Sequence, residues 1–163
     1  MAFTVNRSFD LGSYRLREIF SGLEEVEPLI KCVGDTSTLK QMLDRTRVTL
    51  KDEDGYMYVN DEDGSLVVGL EYLKSGELNH LYLDVIHELV HVKQYLQGRE
   101  LFDRRFRYVD RPTEIEAYRC CVEEGRKKGM SEEAIAEYLY VEWITEREHA
   151  RLLKTLGVNA PSS

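Results

Sequence analysis

The hydrophobic period of this chain changes twice, and those changes bound its fold. Over 13–32, Leu16, Ile19, Phe20, Leu23, Val26, Leu29 and Ile30 recur every three or four residues. That spacing predicts a helix with one apolar stripe. Gly22 and Pro28 are the points at which it would split. A second short helix is predicted over 36–45, capped near Asp35 or Thr36. The period then shortens to two. Val48 and Leu50, then Tyr56, Tyr58 and Val59, then Leu66 to Tyr72 form three short runs separated by two DEDG turns. They predict a small antiparallel or mixed sheet of about three strands, with a meander as the simplest arrangement.

Beyond Gly76 the helical period returns. Leu78, Leu81, Tyr82, Val85, Leu89, Val92 and Leu96 mark one face of a helix that Gly98 would close. Asp110 and Pro112 suit the start of the next helix, which carries EIEAYRCC and ends near Gly125 or Gly129. Ser131 would cap a long last helix over 132–156, and 157–163 reads as a frayed tail. The expected architecture is α+β in a single domain, 1–163. A helical N-terminal segment (1–45) precedes a core (46–163) of sheet and three helices.

Charge narrows the partners. Thirty acidic and 22 basic residues give −8, which disfavours nucleic acid and anionic membrane surfaces. No apolar run approaches the ~18–20 residues of a membrane span, and no apolar leader opens the chain. Cysteines at 32, 120 and 121, with no CxxC, do not form a disulfide framework. The expected compartment is therefore the cytoplasm. Arginines 99, 104, 105, 107 and 111 are read as a solvated loop pairing with nearby acids.

One constellation carries chemistry: His87-Glu88-Leu89-Val90-His91, inside a predicted helix. A spacing of i, i+4 puts both imidazoles on one face, one turn apart, where both can reach one ion at ~2.0–2.1 Å. Glu88 projects about 100° away, beside such an ion rather than onto it. This is the arrangement of a zinc hydrolase, with two His ligands and a neighbouring carboxylate base. A catalytic zinc usually takes three protein ligands. The metzincin pattern is excluded, because Gln97 stands where its third His belongs and Gln94 where its Gly belongs. The helix after Pro112 offers Glu114 and Glu116. The i+3, i+4 and i+7 neighbours of Glu114 are Ala117, Tyr118 and Cys121, an inward face; those of Glu116 are Arg119, Cys120 and Glu123, a largely solvated one. Glu114 is therefore the expected third ligand.

HELVH followed by a helix bearing EIEAY resembles zincin metallopeptidases of the gluzincin type, including minimal single-domain members and IrrE/ImmA-like regulatory peptidases. The resemblance spans about residues 66–125. It implies one zinc per chain and hydrolysis of a peptide bond in a peptide or protein substrate, with Glu88 as general base. It implies an oxyanion donor, for which Tyr108, Tyr118 and His149 are the candidates. It also implies an edge strand that binds substrate backbone, at Leu66, Val67, Val68, Gly69 and Leu70. Tyr118 stands where the family often has an Asp or Asn that steadies a ligand His. A different class of function, a zinc-stabilised binding module without hydrolysis, is the alternative, and Glu88 argues against it. Peptide deformylase would need a Cys ligand in an EGCLS-like segment, whereas Cys32 lies in KCVGD.

Overall fold

The structure, a computed structural model, describes residues 2–159. In chain order it contains β1 (Thr4–Val5), β2 (Gly12–Arg15), α1 (Leu16–Ile19), β3 (Phe20–Ser21), α2 (Glu27–Val33), α3 (Thr36–Arg45), β4 (Arg47–Lys51), β5 (Met57–Val59) and β6 (Leu66–Gly69). There follow α4 (Leu70–Ser75), α5 (Leu78–Leu96), a 3-10 turn (Tyr108–Asp110), α6 (Pro112–Lys127), α7 (Glu132–Leu139) and α8 (Glu146–Leu156). The fold is α+β, as expected, with a two-stranded ribbon of β1 and β3 and a four-stranded sheet ordered β2-β4-β6-β5.

The sheet is mixed rather than a meander. β6 inserts between β4, to which it is parallel, and β5, to which it is antiparallel. The physical reason lies in the residues. Leu66, Val67, Val68 and Gly69 are all buried, and an uninterrupted apolar run suits a strand covered on both faces. β5 alternates exposure and ends the sheet.

The N-terminal stripe is buried as expected, but not as one helix. Leu16, Ile19, Phe20, Leu23, Val26 and Leu29 are each at most 5% exposed, yet they lie on α1, β3, a turn and α2. Gly22 turns the chain at φ +90°, and a Cβ there would stand 2.4 Å from the Ala2 carbonyl oxygen. Only glycine permits that approach. The last helix is likewise divided. Ser131 caps α7 through the Ala134 N–H, and α7 ends at Leu139. Thr145 and Glu148 then form a capping box that starts α8. The expected frayed tail is corrected at its start. Gly157 is left-handed, the Val158 N–H donates to the Leu153 carbonyl, and Val158 is buried, which makes a Schellman-type cap. Residues 160–163 lie outside the described residues.

α5 is the centre of the molecule. Leu81, Val85, Ile86, Leu89 and Val90 are fully buried, each worth about 1.5–3 kcal/mol relative to exposure. α2 and the sheet cover one side, and α6 lies along the other. A second apolar cluster, built on Tyr118, Val122, Ile135, Leu139 and Leu152, ties α7 and α8 to α6. A helix buried nearly all round can carry polar groups inward only where they meet partners. His87, His91 and Gln94 are such groups, and Glu88 is buried on the same helix.

Candidate metal centre

His87 and His91 point from α5 toward the first turn of α6. Pro112 starts that helix, and the Thr113 hydroxyl pins it by donating to the Leu101 carbonyl at 2.9 Å. Glu114 then falls where the positive end of the helix dipole favours an anion. His87 Nε2 and His91 Nε2 each lie 2.9 Å from Glu114 Oε1, and 3.1 Å from one another. All three residues are buried. Glu116 faces elsewhere, to Lys93 at 3.0 Å, Arg99 at 3.0 Å and Gln94 at 2.7 Å.

Gln94 fixes the chemistry of His91. Its amide nitrogen donates to the Thr113 carbonyl at 3.0 Å and to Glu116. Its oxygen therefore faces His91 Nδ1, 2.7 Å away, and must accept a hydrogen bond from the Nδ1–H. A neutral His91 then turns the Nε2 lone pair toward the carboxylate oxygen and toward His87 Nε2. Three bare electron-rich atoms this close would repel, so a proton or a metal ion must stand among them. Without a metal a proton does so. The Glu114 contact pushes His91 up to about 9 against the opposing effect of burial. Burial works against the Glu114 charge, but its bonds to the two histidines prevail and hold its carboxyl below the usual range. Burial lowers His87. His87 Nδ1 is, among the described residues, the one buried side-chain polar atom without a partner.

The donor set, imidazole nitrogen and carboxylate oxygen, is one that transition-metal ions take. His87, Glu88 and His91 form a buried group whose ligating atoms lie within 4.8 Å of one another and could hold a metal ion. Either Glu88 or Glu114 would make a trio with the histidines. Glu114 Oε1 makes the 2.9 Å contacts with both histidines, and Glu88 belongs to the group by distance. Burial raises the Glu88 carboxyl well above the usual carboxylate range.

These residues form one end of a cleft of about 620 Å³. Tyr108 and Tyr118, both named from the sequence, line it with their hydroxyl oxygens 2.5 Å apart. Burial raises both phenols, so they stay protonated donors. The Tyr118 ring packs 4.2 Å from that of His87. Arg111 sits 3.8 Å from Glu114 Oε2.

Two expectations are corrected. His149 does not reach the cleft: it bonds to the Ala136 carbonyl at 2.7 Å and stacks on Tyr140. The segment Leu66, Val67, Val68, Gly69 and Leu70 is not an edge strand. Leu66–Gly69 is paired on both sides, the Gly69 N–H donates to the Tyr56 carbonyl at 3.0 Å, and Leu70 begins α4. The edge belongs to β5, whose Met57 and Tyr58 line the cleft.

Two residues escaped the sequence reading. Gln94 appeared there only as a departure from another pattern, although its i+3 spacing from His91 marks a neighbour on the same face. Asp84, three residues before His87, accepts from the hydroxyls of Tyr72 and Tyr138. Burial raises its carboxyl, and the two phenol bonds oppose that shift. Of the arginine run, Arg99, Arg105 and Arg111 pair with acids near them, at Glu116, Asp103 and Glu114. The three cysteines are free, and no described helix is long and apolar enough to cross a membrane. No family model, curated protein or solved structure matches the chain.

Proposed function

We propose that this chain is a zinc-dependent peptidase of the zincin type, with the ion held by His87, His91 and Glu114 and with Glu88 as general base. The observation that supports this reading is the convergence of the two Nε2 atoms and Glu114 Oε1 within 3.1 Å, inside a cleft that Glu88 also lines. When bound, zinc supplies a Lewis acid that lowers the pKa of water toward ~7 and polarises a carbonyl. Gln94 keeps His91 in the tautomer that offers Nε2. Glu88 takes the proton of the attacking water and delivers it to the leaving amine. The neutral phenols of Tyr108 and Tyr118 are placed to donate to the oxygen that gains charge. The free side of β5 suits an extended peptide backbone added as a further strand.

The test is incubation of the zinc-loaded chain with a mixed peptide library, new termini being read by mass spectrometry. Cleavage is expected in the wild type, falling about 10²–10⁴-fold in Glu88→Gln while the variant keeps its zinc. Zinc retained by both proteins with cleavage by neither would overturn the peptidase reading and leave a zinc-stabilised binding module.

A further inference from the structure

The cleft has an unusual lining beyond its metal end. Among the described residues, five of the nine exposed large hydrophobic side chains stand around it: Tyr56, Tyr58, Phe102, Tyr140 and Trp143. Exposed aromatics gathered at one cavity mouth mark a binding surface. The charges there are one-sided. Glu53, Asp54, Glu137 and Glu142 line the cleft as exposed carboxylates. Arg111 is the one lysine or arginine in the lining, and it is engaged by Glu114 and by the Asp103 carbonyl at 3.2 Å.

Asp84 gives this field a focus. It lies one helical turn before His87, and so about 4.5 Å along α5 from the metal end. The Tyr72 hydroxyl bonds one of its oxygens and the Tyr138 hydroxyl the other. An ionised carboxylate accepts about four hydrogen bonds, so two acceptor positions remain. Tyr72 is itself met edge-on by Tyr56 at 4.9 Å, which makes the walls aromatic. A carboxylate held rigid between tyrosine rings recognises a guanidinium or ammonium by charge-assisted hydrogen bonds and cation–π contact.

We propose that Asp84, Tyr72 and Tyr138 form a specificity pocket for an arginine or lysine side chain, so that the occupant of the cleft is a basic peptide. The proposal rests on the peptidase reading for the bond that is cut, but the pocket itself contains no metal ligand. The acidic rim steers such peptides inward, and the tyrosines and Trp143 flank the residues on either side.

The chain has one tryptophan, Trp143, so its fluorescence reports occupancy of the cleft directly. The experiment titrates zinc-loaded Glu88→Gln protein with acetyl-Ala-Ala-X-Ala-Ala-amide, where X is Arg, Lys, norleucine or Glu. The Arg and Lys peptides are expected to bind about tenfold more tightly than the norleucine peptide, and the Glu peptide more weakly than all three. Adding Asp84→Asn should bring the Arg-to-norleucine ratio close to one and leave zinc content unchanged. Glu137→Gln with Glu142→Gln, on exposed positions, should lower the same ratio and flatten its salt dependence; this arm decides if Asp84→Asn does not fold. Equal binding of Arg and norleucine peptides, or a ratio untouched by both sets of variants, would overturn the proposal. Repeating the titration without zinc separates the two readings. A basic preference in a chain that never takes up zinc upholds the pocket and sinks the peptidase. Zinc-dependent cleavage with no basic preference does the reverse.

Discussion

The two walls of the cleft are built on opposite principles. The α5–α6 wall is cross-braced: His91 to Gln94, Gln94 to Thr113 and Glu116, and Lys93 to Glu116 and the Cys32 carbonyl. His91, Gln94, Thr113 and Lys93 are buried, Glu116 is partly exposed, and all five are paired. The facing wall, from 53–58 and 137–143, leaves Tyr56 and Tyr58 about 40% exposed and Trp143 55% exposed. It is joined by bonds such as Tyr56 to Glu142 at 2.7 Å and Tyr58 to Glu53 at 3.2 Å. The groups proposed to hold a metal, which would need placing within tenths of an ångström, sit on the rigid wall. Groups that meet a ligand sit where local opening is easier.

The largest effect should come from breaking the rigid wall at its centre. His87→Ala or His91→Ala is expected to lower zinc affinity by more than the roughly 10–100-fold typical of outer partners, measured by competition with a chromogenic chelator. Gln94→Ala tests the brace itself and should fall within that 10–100-fold range. Equal affinity of Gln94→Ala and wild type would show that the His91 tautomer is not set by this contact.

Legibility in the sequence follows the same division. That His87 and His91 share one helix face was readable because i, i+4 spacing needs no tertiary knowledge. Glu114 could be separated from Glu116 because its own helix neighbours are apolar. The facing wall was not readable. Glu53 and Tyr56 come from one segment and Tyr138 and Trp143 from another far along the chain, and no local period unites them. Periodicity foretold that Leu16 to Leu29 would be buried but not that Gly22 would break the helix. It foretold a strand at Leu66 to Val68, but the insertion of that strand between β4 and β5 depends on non-local pairing. The division of the last helix was visible in principle, since Thr145 and Glu148 spell a capping box.

The metal-free protein offers a test by pH. His91 is raised to about 9 from an unfolded value of about 6.5. Its contribution to stability is full below about 6.5 and is lost as pH rises through 9. Glu88 and Asp84 are raised, so they also favour the folded state at lower pH and lose that contribution as pH rises. Glu114 is lowered, and its contribution is present above about 4.3 and lost as pH falls. His87 is lowered by burial and works against the trend, costing stability below about 6.5 and none above, a smaller effect than that of His91 over this range. The metal-free chain should therefore melt at a lower temperature at pH 9 than at pH 6, by calorimetry. Zinc, which replaces the proton among the ligands, should remove much of that fall. A melting temperature that rises from pH 6 to 9 without metal would contradict this electrostatic account.

The smallest effect belongs to the soft wall. Tyr56→Phe removes the bond to Glu142, worth at most about 0.5–1.5 kcal/mol, and should shift the melting temperature by only a few degrees. A larger shift would mean that the rim is as rigid as the floor.

Zinc stoichiometry by elemental analysis, on the wild type beside His87→Ala, Glu114→Ala, Glu116→Ala and Glu88→Gln, tests the central claim most directly. Near one zinc per chain is predicted for the wild type, Glu116→Ala and Glu88→Gln, with loss in His87→Ala and weakening in Glu114→Ala. Failure of the wild type to hold zinc after reconstitution would contradict the claim. Full retention in Glu114→Ala, with loss in Glu88→Gln or Glu116→Ala, would contradict the assigned ligand set.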